Sequence, residues 1–394
     1  MKYDFDKVVD RHGTNCLKYD FAIERGKPAD ILPLWVADMD FQTAPAILER
    51  LKETVKHGIF GYSDGKEGYF AAVQNWYRER FGWETKPEWL VKTPGVVFAL
   101  AAAVRAYTKE GDGVLLQQPV YYPFSEVITD NGRKIVNSPL KITDGYYTMD
   151  LDALETKIVE NKVKLFLLCS PHNPVGRVWT RDEVERVVML CRKYSVWLFS
   201  DEIHGDVALY GNQYTSAACF ADVYDRMIVY TAISKTFNMA GLHSSCSIIP
   251  NPEYKKRQEA SLREAWLMSP NCLSNAAIEA CYTYGDEWVD QQNAYLTENA
   301  EFIIHYLAVH APEIKPVKPE GTYLMWLDCS ALEMTSDEIQ KTLADHYGIA
   351  VGGGASYGGD GEHFLRFNFG CPRKTLEEGM EKLVQFVSDW RKGV

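Results

Sequence analysis

The middle of this chain alternates short, unbroken apolar runs with amphipathic stretches, and few architectures accept that pattern. Strand-like runs lie at 114–119, 134–139, 163–170, 196–200, 227–232 and 246–250. Several are apolar throughout rather than alternating, as in strands buried on both faces of a parallel sheet. Helix-like stretches separate them. One opens at Thr180-Arg181-Asp182-Glu183, a capping box in which Thr180 caps and Glu183 reaches back, and an apolar stripe through Val184, Val187, Val188 and Cys191 follows. Strand–helix alternation of this kind predicts an α/β domain with a mostly parallel central sheet and right-handed crossovers.

The last hundred residues read differently. A helix is predicted over 298–309, strands over 321–328 and 364–369, and a terminal helix with Leu376, Met380, Leu383, Val384 and Val387 on one face. That mixture predicts a smaller α+β domain. At 394 residues the chain exceeds the size at which one core usually stops growing. The expected division is an N-terminal segment, 1–45, belonging to the small domain, a large domain over 46–290, and the small domain proper over 291–394.

Composition narrows the function classes. Apolar residues make up 46% and charged residues 24%, ordinary for a water-soluble domain. No apolar run is long enough to span a bilayer, so no membrane role is expected. Lys and Arg number 42 against 54 Asp and Glu, a net charge of −12, and no basic cluster offers a nucleic-acid footprint. Nine cysteines are scattered singly, an odd count without C-x-x-C, which predicts reduced thiols rather than disulfides. The first residues carry charges with no apolar stretch behind them, so the cytoplasm is the expected compartment.

Ligands of open α/β sheets bind beyond the carboxyl ends of the strands. Three predicted strands end in polar motifs: SPHNPVG with Asn173, SDEIH with Asp201 and His204, and SKTFN with Ser234 and Lys235. An amide, a carboxylate and a lysine are thus brought to one sheet edge from positions 28 and 34 residues apart. A lysine amine captures an aldehyde cofactor such as pyridoxal phosphate when held beside it. A pyridoxal ring withdraws electrons while its ring nitrogen stays protonated, and a buried carboxylate, here Asp201, keeps it so. Asn173 and His204 are candidate partners for the phenolic oxygen, and either Tyr121 or Tyr122 for the ring face. The phosphate needs N–H groups at a helix start, which the turn from Thr93 through Gly95, Val96 and Val97 into an alanine-rich run supplies.

Blander readings exist for each residue. Asp201 also reads as a helix cap, Arg366 as a structural ion-pair residue and Tyr62, in a glycine-flanked loop, as an exposed aromatic. The Asp201–Asp206 segment superficially resembles a metal cluster, but no H-E-x-x-H or paired-cysteine spacing supports one, so no metal is expected. The glycine-rich segments at 352–354 and 358–361 lack the lysine of a nucleotide-binding P-loop and read as a substrate-side loop.

The runs SPHNPVG, SDEIH and SKTFNMAGLH resemble fold-type I pyridoxal-phosphate enzymes of the aspartate aminotransferase superfamily. The runs PLWVADMDF (33–41) and LRFNFG (365–370) more narrowly resemble the C–S lyases of the MalY/PatB type, or cystathionine β-lyases, and the likeness covers essentially the whole chain. It implies that Lys235 is the Schiff-base lysine, Asp201 the pyridinium partner, Tyr121 the stacking aromatic, and Gly95, Val96, Val97 and Ser234 the phosphate cradle. Ala37, Asn173 and Arg366 are implied to bind substrate, Arg366 as the bidentate clamp on its carboxylate. Tyr62 is implied to reach the phosphate of a neighbouring subunit in a homodimer. His204 stands where typical aminotransferases have tyrosine, His243 where they have a phosphate-binding arginine, and Ala232 where serine or threonine is common. The first two changes suit the lyases. The implied reaction is α,β-elimination from an L-amino acid with sulfur at Cβ, such as cystathionine or cysteine, to pyruvate, ammonia and a thiol. An aminotransferase would use the same residues, and a binding protein that kept the fold would be expected to have lost Lys235 or Asp201.

Overall fold

The computed structural model describes residues 2–266 and 270–393. Seven strands form the large sheet: β1 (Leu90–Thr93), β2 (Gly113–Leu116), β3 (Lys134–Asn137), β4 (Leu165–Cys169), β5 (Trp197–Asp201), β6 (Met227–Thr231) and β7 (Ser245–Ile248). Their order is β1-β7-β6-β5-β4-β2-β3. All run parallel except β7, which is antiparallel to both neighbours. The sheet is mostly parallel, as the unbroken apolar runs require: every residue of β4 and β6 is buried. The strands stop short of Pro119, Pro139 and Pro250, which have no N–H to give a ladder.

Helices cover both faces. That over Val96–Tyr107 buries Ala99, Leu100, Ala102, Ala103 and Val104 on one side. On the other, the helix Arg181–Tyr194 begins with the capping box read from the sequence. Thr180 Oγ1 accepts from the Glu183 N–H at 3.2 Å, and a Glu183 carboxylate oxygen accepts from the Thr180 N–H at 2.8 Å. Val184, Val187, Val188 and Cys191 face the core.

A second, four-stranded sheet is built from β8 (Lys315–Val317), β9 (Leu324–Asp328), β10 (Gly352–Gly353) and β11 (Phe364–Asn368), with β9 and β11 central. Strand β9 starts later than the apolar run suggests. Thr322 has φ 66° and its N–H binds the Val207 carbonyl at 2.8 Å, so residues 321–323 turn toward the large sheet before the ladder begins. The predicted helix at 298–309 is longer, Asp286–His310, and runs without a break through residue 290. The terminal helix Arg373–Lys392 buries Leu376, Met380, Leu383 and Val387, with Val384 half-buried. The N-terminal segment joins this end of the molecule: Leu32–Pro33 pairs in parallel with Ile349–Ala350, and Asn368 N–H binds the Leu34 carbonyl at 3.0 Å. No described helix is long and apolar enough to cross a membrane.

Candidate active site

Register brings the three motifs together. Cys169 of β4 pairs with Asp201 of β5, and Asp201 with Tyr230 of β6. Asn173, Asp201 and Lys235 therefore lie at or just beyond the ends of three adjacent strands, at the same edge. Gly95 leaves β1, parallel to them, at that edge too. Around these loop starts lies a cavity of about 300 Å³, walled by Asn173, Asp201, His204, Ser234 and Lys235. Gly95, Val96 and Val97 close one end, and Tyr121 and Ala37 another. A second cavity of about 450 Å³ shares Ala37, Tyr121 and Lys235 with the first and adds Arg366, Tyr122 and Tyr357. Lys235 thus stands at the junction of two chambers.

Burial sets the charges. Asp201 is buried, and loss of water pushes its carboxyl pKa up to about 7, against the Ile203 N–H that its Oδ1 accepts at 3.2 Å and the charge of Lys235. Burial likewise pushes the Lys235 amine down to about 8; Arg366 adds to this, while Asp38 and Asp201 oppose it. His204 is held well below its ordinary value by burial and by the charges of Lys235 and Arg366, so it is neutral, and its buried Nδ1 has no partner among the described residues. The cavity therefore holds a carboxyl, an amine and an imidazole, each shifted toward its uncharged form.

At the edge of the second cavity, Arg366 NH1 donates to Asn173 Oδ1 at 3.3 Å and NH2 to the Trp35 carbonyl at 2.9 Å, while the guanidinium lies 5.1 Å from the Tyr357 ring centroid. Asn173 Oδ1 being occupied, its NH₂ group remains as a donor. The helix Val96–Tyr107 has no side-chain cap among the described residues, and Gly95, Val96 and Val97 at its start line the cavity. Gly95 adopts φ 154°, where a Cβ would also press on the Phe98 ring.

Tyr62 alone among the candidate residues touches neither cavity; it is fully exposed. The carboxylates that read superficially as a metal cluster have protein partners. Glu202 accepts from Ser200, Tyr214 and the Ala217 N–H, and Asp206 from Trp76 and Thr236.

How one part of the site is held in place was not legible in the sequence. The carbonyls of residues 35–39 are each held by side chains from distant elements. Arg366 binds Trp35 O, Asn368 binds Val36 O at 2.5 Å and Asp38 O at 2.6 Å, and both Lys235 (2.6 Å) and Tyr323 (2.9 Å) bind Ala37 O. Asn238 and Arg11 bind Met39 O. Behind this segment, the fully buried Lys18 pairs with Asp40 at 2.8 Å, and Arg11 bridges Asp38 and Asp40. The PLWVADMDF run, with Ala37, marked the segment in the sequence, and Asn238 and Asn368 stand inside the SKTFNMAGLH and LRFNFG runs, but nothing in the sequence paired those side chains with it.

The fold and this edge of polar groups define a class. The family model for class I and II aminotransferases matches residues 29–383. The chain belongs to that family, and its fold is the fold type I of pyridoxal-phosphate enzymes. Among curated proteins it is 41% identical to the cystathionine β-lyase PatB of Bacillus subtilis, over 98% of this chain and 100% of that one. It is 36% identical to Protein MalY of Escherichia coli, over 98% and 99%. Among solved structures it superposes on cystalysin from Treponema denticola, which contains a pyridoxal 5'-phosphate cofactor, with a TM-score of 0.94 and 36% identity over 99% of this chain and 100% of that one.

Proposed function

We propose that this protein is a pyridoxal-phosphate-dependent carbon–sulfur β-lyase, which cleaves L-cystathionine or L-cysteine-type amino acids to pyruvate, ammonia and a thiol. The observation that carries the reading is the placing of the Lys235 amine and the Asp201 carboxyl on the walls of one 300 Å³ cavity, with the Arg366 guanidinium in the chamber beside it.

The residues present fit the cofactor. Asp201 is a buried carboxyl short of a cation, which a protonated ring nitrogen supplies. His204 Nδ1 is an unmatched buried polar atom, and with Asn173 it suits the phenolic oxygen. Tyr121 suits the ring face. The uncapped helix start at Gly95, Val96 and Val97, with Ser234, suits a phosphate. Bound there, the cofactor supplies an electron sink for charge that develops at the substrate Cα.

The chain's own residues do the rest. Arg366, fixed on two sides by Asn173 and Trp35, presents a guanidinium to the substrate carboxylate beside Ala37. That grip orients the Cα–H bond toward Lys235. The amine, with its pKa lowered from the ordinary lysine value to about 8, has a far larger neutral fraction near physiological pH than an ordinary lysine, and in that form takes the Cα proton as general base. The thiolate leaves from Cβ, and the remaining fragment hydrolyses to pyruvate and ammonia. The relatives named cystathionine β-lyase support this choice of reaction over amino-group transfer.

The proposed molecule is a homodimer in which the exposed Tyr62 reaches the phosphate of the partner subunit, and its nine unpaired cysteines suit the reducing cytoplasm. The N-terminal 45 residues and those beyond 290 are proposed to act as one small domain around Arg366. Incubation of the cofactor-loaded protein with L-cystathionine tests the reaction: pyruvate and thiol in equal amounts are expected. Amino transfer to a keto acid without thiol release would overturn it.

A further inference from the structure

The far wall of the substrate chamber carries a set of charges that the β-elimination chemistry does not use. Arg25 ends a single turn, Ile23–Arg25, closed by hydrogen bonds from the Arg25 and Lys27 N–H groups to the Ala22 carbonyl. This turn sets two cations on one indole: the Arg25 guanidinium and the Lys27 ammonium each lie 5.3 Å from the Trp35 ring centroid. Neither has an ion-pair partner among the described residues. Burial and the charge of Arg25 hold the Lys27 pKa below its ordinary value, the sign of like charges held together. Trp35 Nε1 is itself buried and has no acceptor among the described residues. Two like charges and an unmatched donor on one residue form a positive spot short of an anion.

Trp35 also links this spot to the reaction centre, because its carbonyl is the group that Arg366 holds. Arg25, Trp35 and Arg366 all line the same 450 Å³ chamber. The chamber therefore has a guanidinium at each side of a single tryptophan. Asp337 and Gln340, on the helix Ser336–Tyr347, line it too. Gln340 spends its NH₂ group on the Val351 carbonyl at 2.6 Å, which leaves its oxygen as an acceptor. That oxygen and Asp337 Oδ1 converge beside Gly353, at 3.4 and 3.3 Å from the place a Cβ would occupy there. A side chain at 353 would fill the space that these two acceptors face.

A cationic spot and a pair of acceptors in one chamber match a carboxylate and an ammonium on one ligand. We propose that Arg25, with Lys27 behind it on the same indole and with Asp337 and Gln340, forms a distal subsite for the second amino-acid head of a bis-amino-acid thioether. In such a substrate an arm of five single bonds separates the two Cα atoms, about 7 Å when extended. Arg366 holds the carboxylate of the reacting half, and Arg25 that of the half that leaves as the thiol. A substrate that ends at sulfur or at a methyl group leaves the subsite empty.

The inference rests on the β-lyase reading, and one experiment separates the two. Cofactor-loaded wild type, Arg25→Ala and Asp337→Asn are assayed for pyruvate from L-cystathionine and from S-methyl-L-cysteine. The ratio of kcat/KM for the long substrate to that for the short one is expected to fall about tenfold in Arg25→Ala, mostly through KM, because one charge-assisted hydrogen bond is lost. Asp337→Asn is expected to lower it severalfold. Calorimetric titration of Lys235→Ala, with and without Arg25→Ala, should give the same change in relative affinity free of turnover. An unchanged ratio in both variants would overturn the subsite and leave the lyase reading standing. Pyruvate from neither substrate with the wild-type enzyme would overturn the lyase reading, and the subsite with it.

Discussion

The Lys235 ammonium group donates to the Ala37 carbonyl at 2.6 Å, joining two residues 198 positions apart. The bond fixes the amine at the junction of the two chambers. It also makes the segment 35–39 part of the active site, although the strand leading into it, Leu32–Pro33, pairs with Ile349–Ala350 at the other end of the molecule.

The protonation state of Lys235 should govern capture of the cofactor. Only the neutral amine attacks an aldehyde, and the pKa pushed down to about 8 by burial makes that form available two or more units below an ordinary lysine. The rate at which the cofactor-free protein takes up pyridoxal phosphate is expected to rise with pH through about 8 and to level above it. Stopped-flow absorbance over pH 6–10 checks this. A midpoint near the ordinary lysine value would contradict it.

Asp201 should be a liability to the empty protein. Its pKa, raised from 3.8 to about 7, means that between those values the folded chain holds a proton that the unfolded chain has lost. Stability contributed by this group is therefore full below about pH 4 and declines as pH rises to about 7. Asp201→Asn removes the decline. The cofactor-free variant should be more stable than wild type at pH 7.5, by on the order of 2–4 kcal/mol, yet bind pyridoxal phosphate more weakly and make little pyruvate. Thermal unfolding with and without cofactor measures both effects.

The row of occupied carbonyls should be structural and catalytic at once. Asn368→Ala removes both donors to Val36 and Asp38 and the acceptor for the Gly370 N–H. A loss of about 3 kcal/mol in urea unfolding is expected. Tyr323→Phe removes one donor from the Ala37 carbonyl, which keeps Lys235. It should cost about 1 kcal/mol in stability and alter kcat more than KM, because it shifts the amine rather than the carboxylate grip.

Arg366→Lys should raise KM for every amino-acid substrate by about a hundredfold. The planar fork that bridges Asn173 and the Trp35 carbonyl cannot be reproduced by a single ammonium group. Steady-state kinetics with two substrates of different length check it, since the loss should be the same for both.

Much of the large sheet was legible because buried parallel strands leave unbroken apolar runs such as 165–169 and 227–231, and the motifs that follow them inherit a common edge from the topology. Thr180 and Glu183 were legible because a capping box is local. Harder features depend on contacts distant in sequence. The late start of the strand Leu324–Asp328 follows from the hydrogen bond between Thr322 and Val207. The grip on residues 35–39 comes from side chains as remote as Tyr323 and Asn368, and the buried Lys18 reads in sequence as an ordinary surface lysine. The reach of Tyr62 to a partner subunit rests on the resemblance alone.

The most direct test of the account is to reduce the cofactor-loaded protein with borohydride, digest it, and locate the pyridoxyl group by mass spectrometry. The label is expected on the peptide containing Lys235, and none is expected in Lys235→Ala. A label on any other lysine, or none in the wild-type protein, would contradict it.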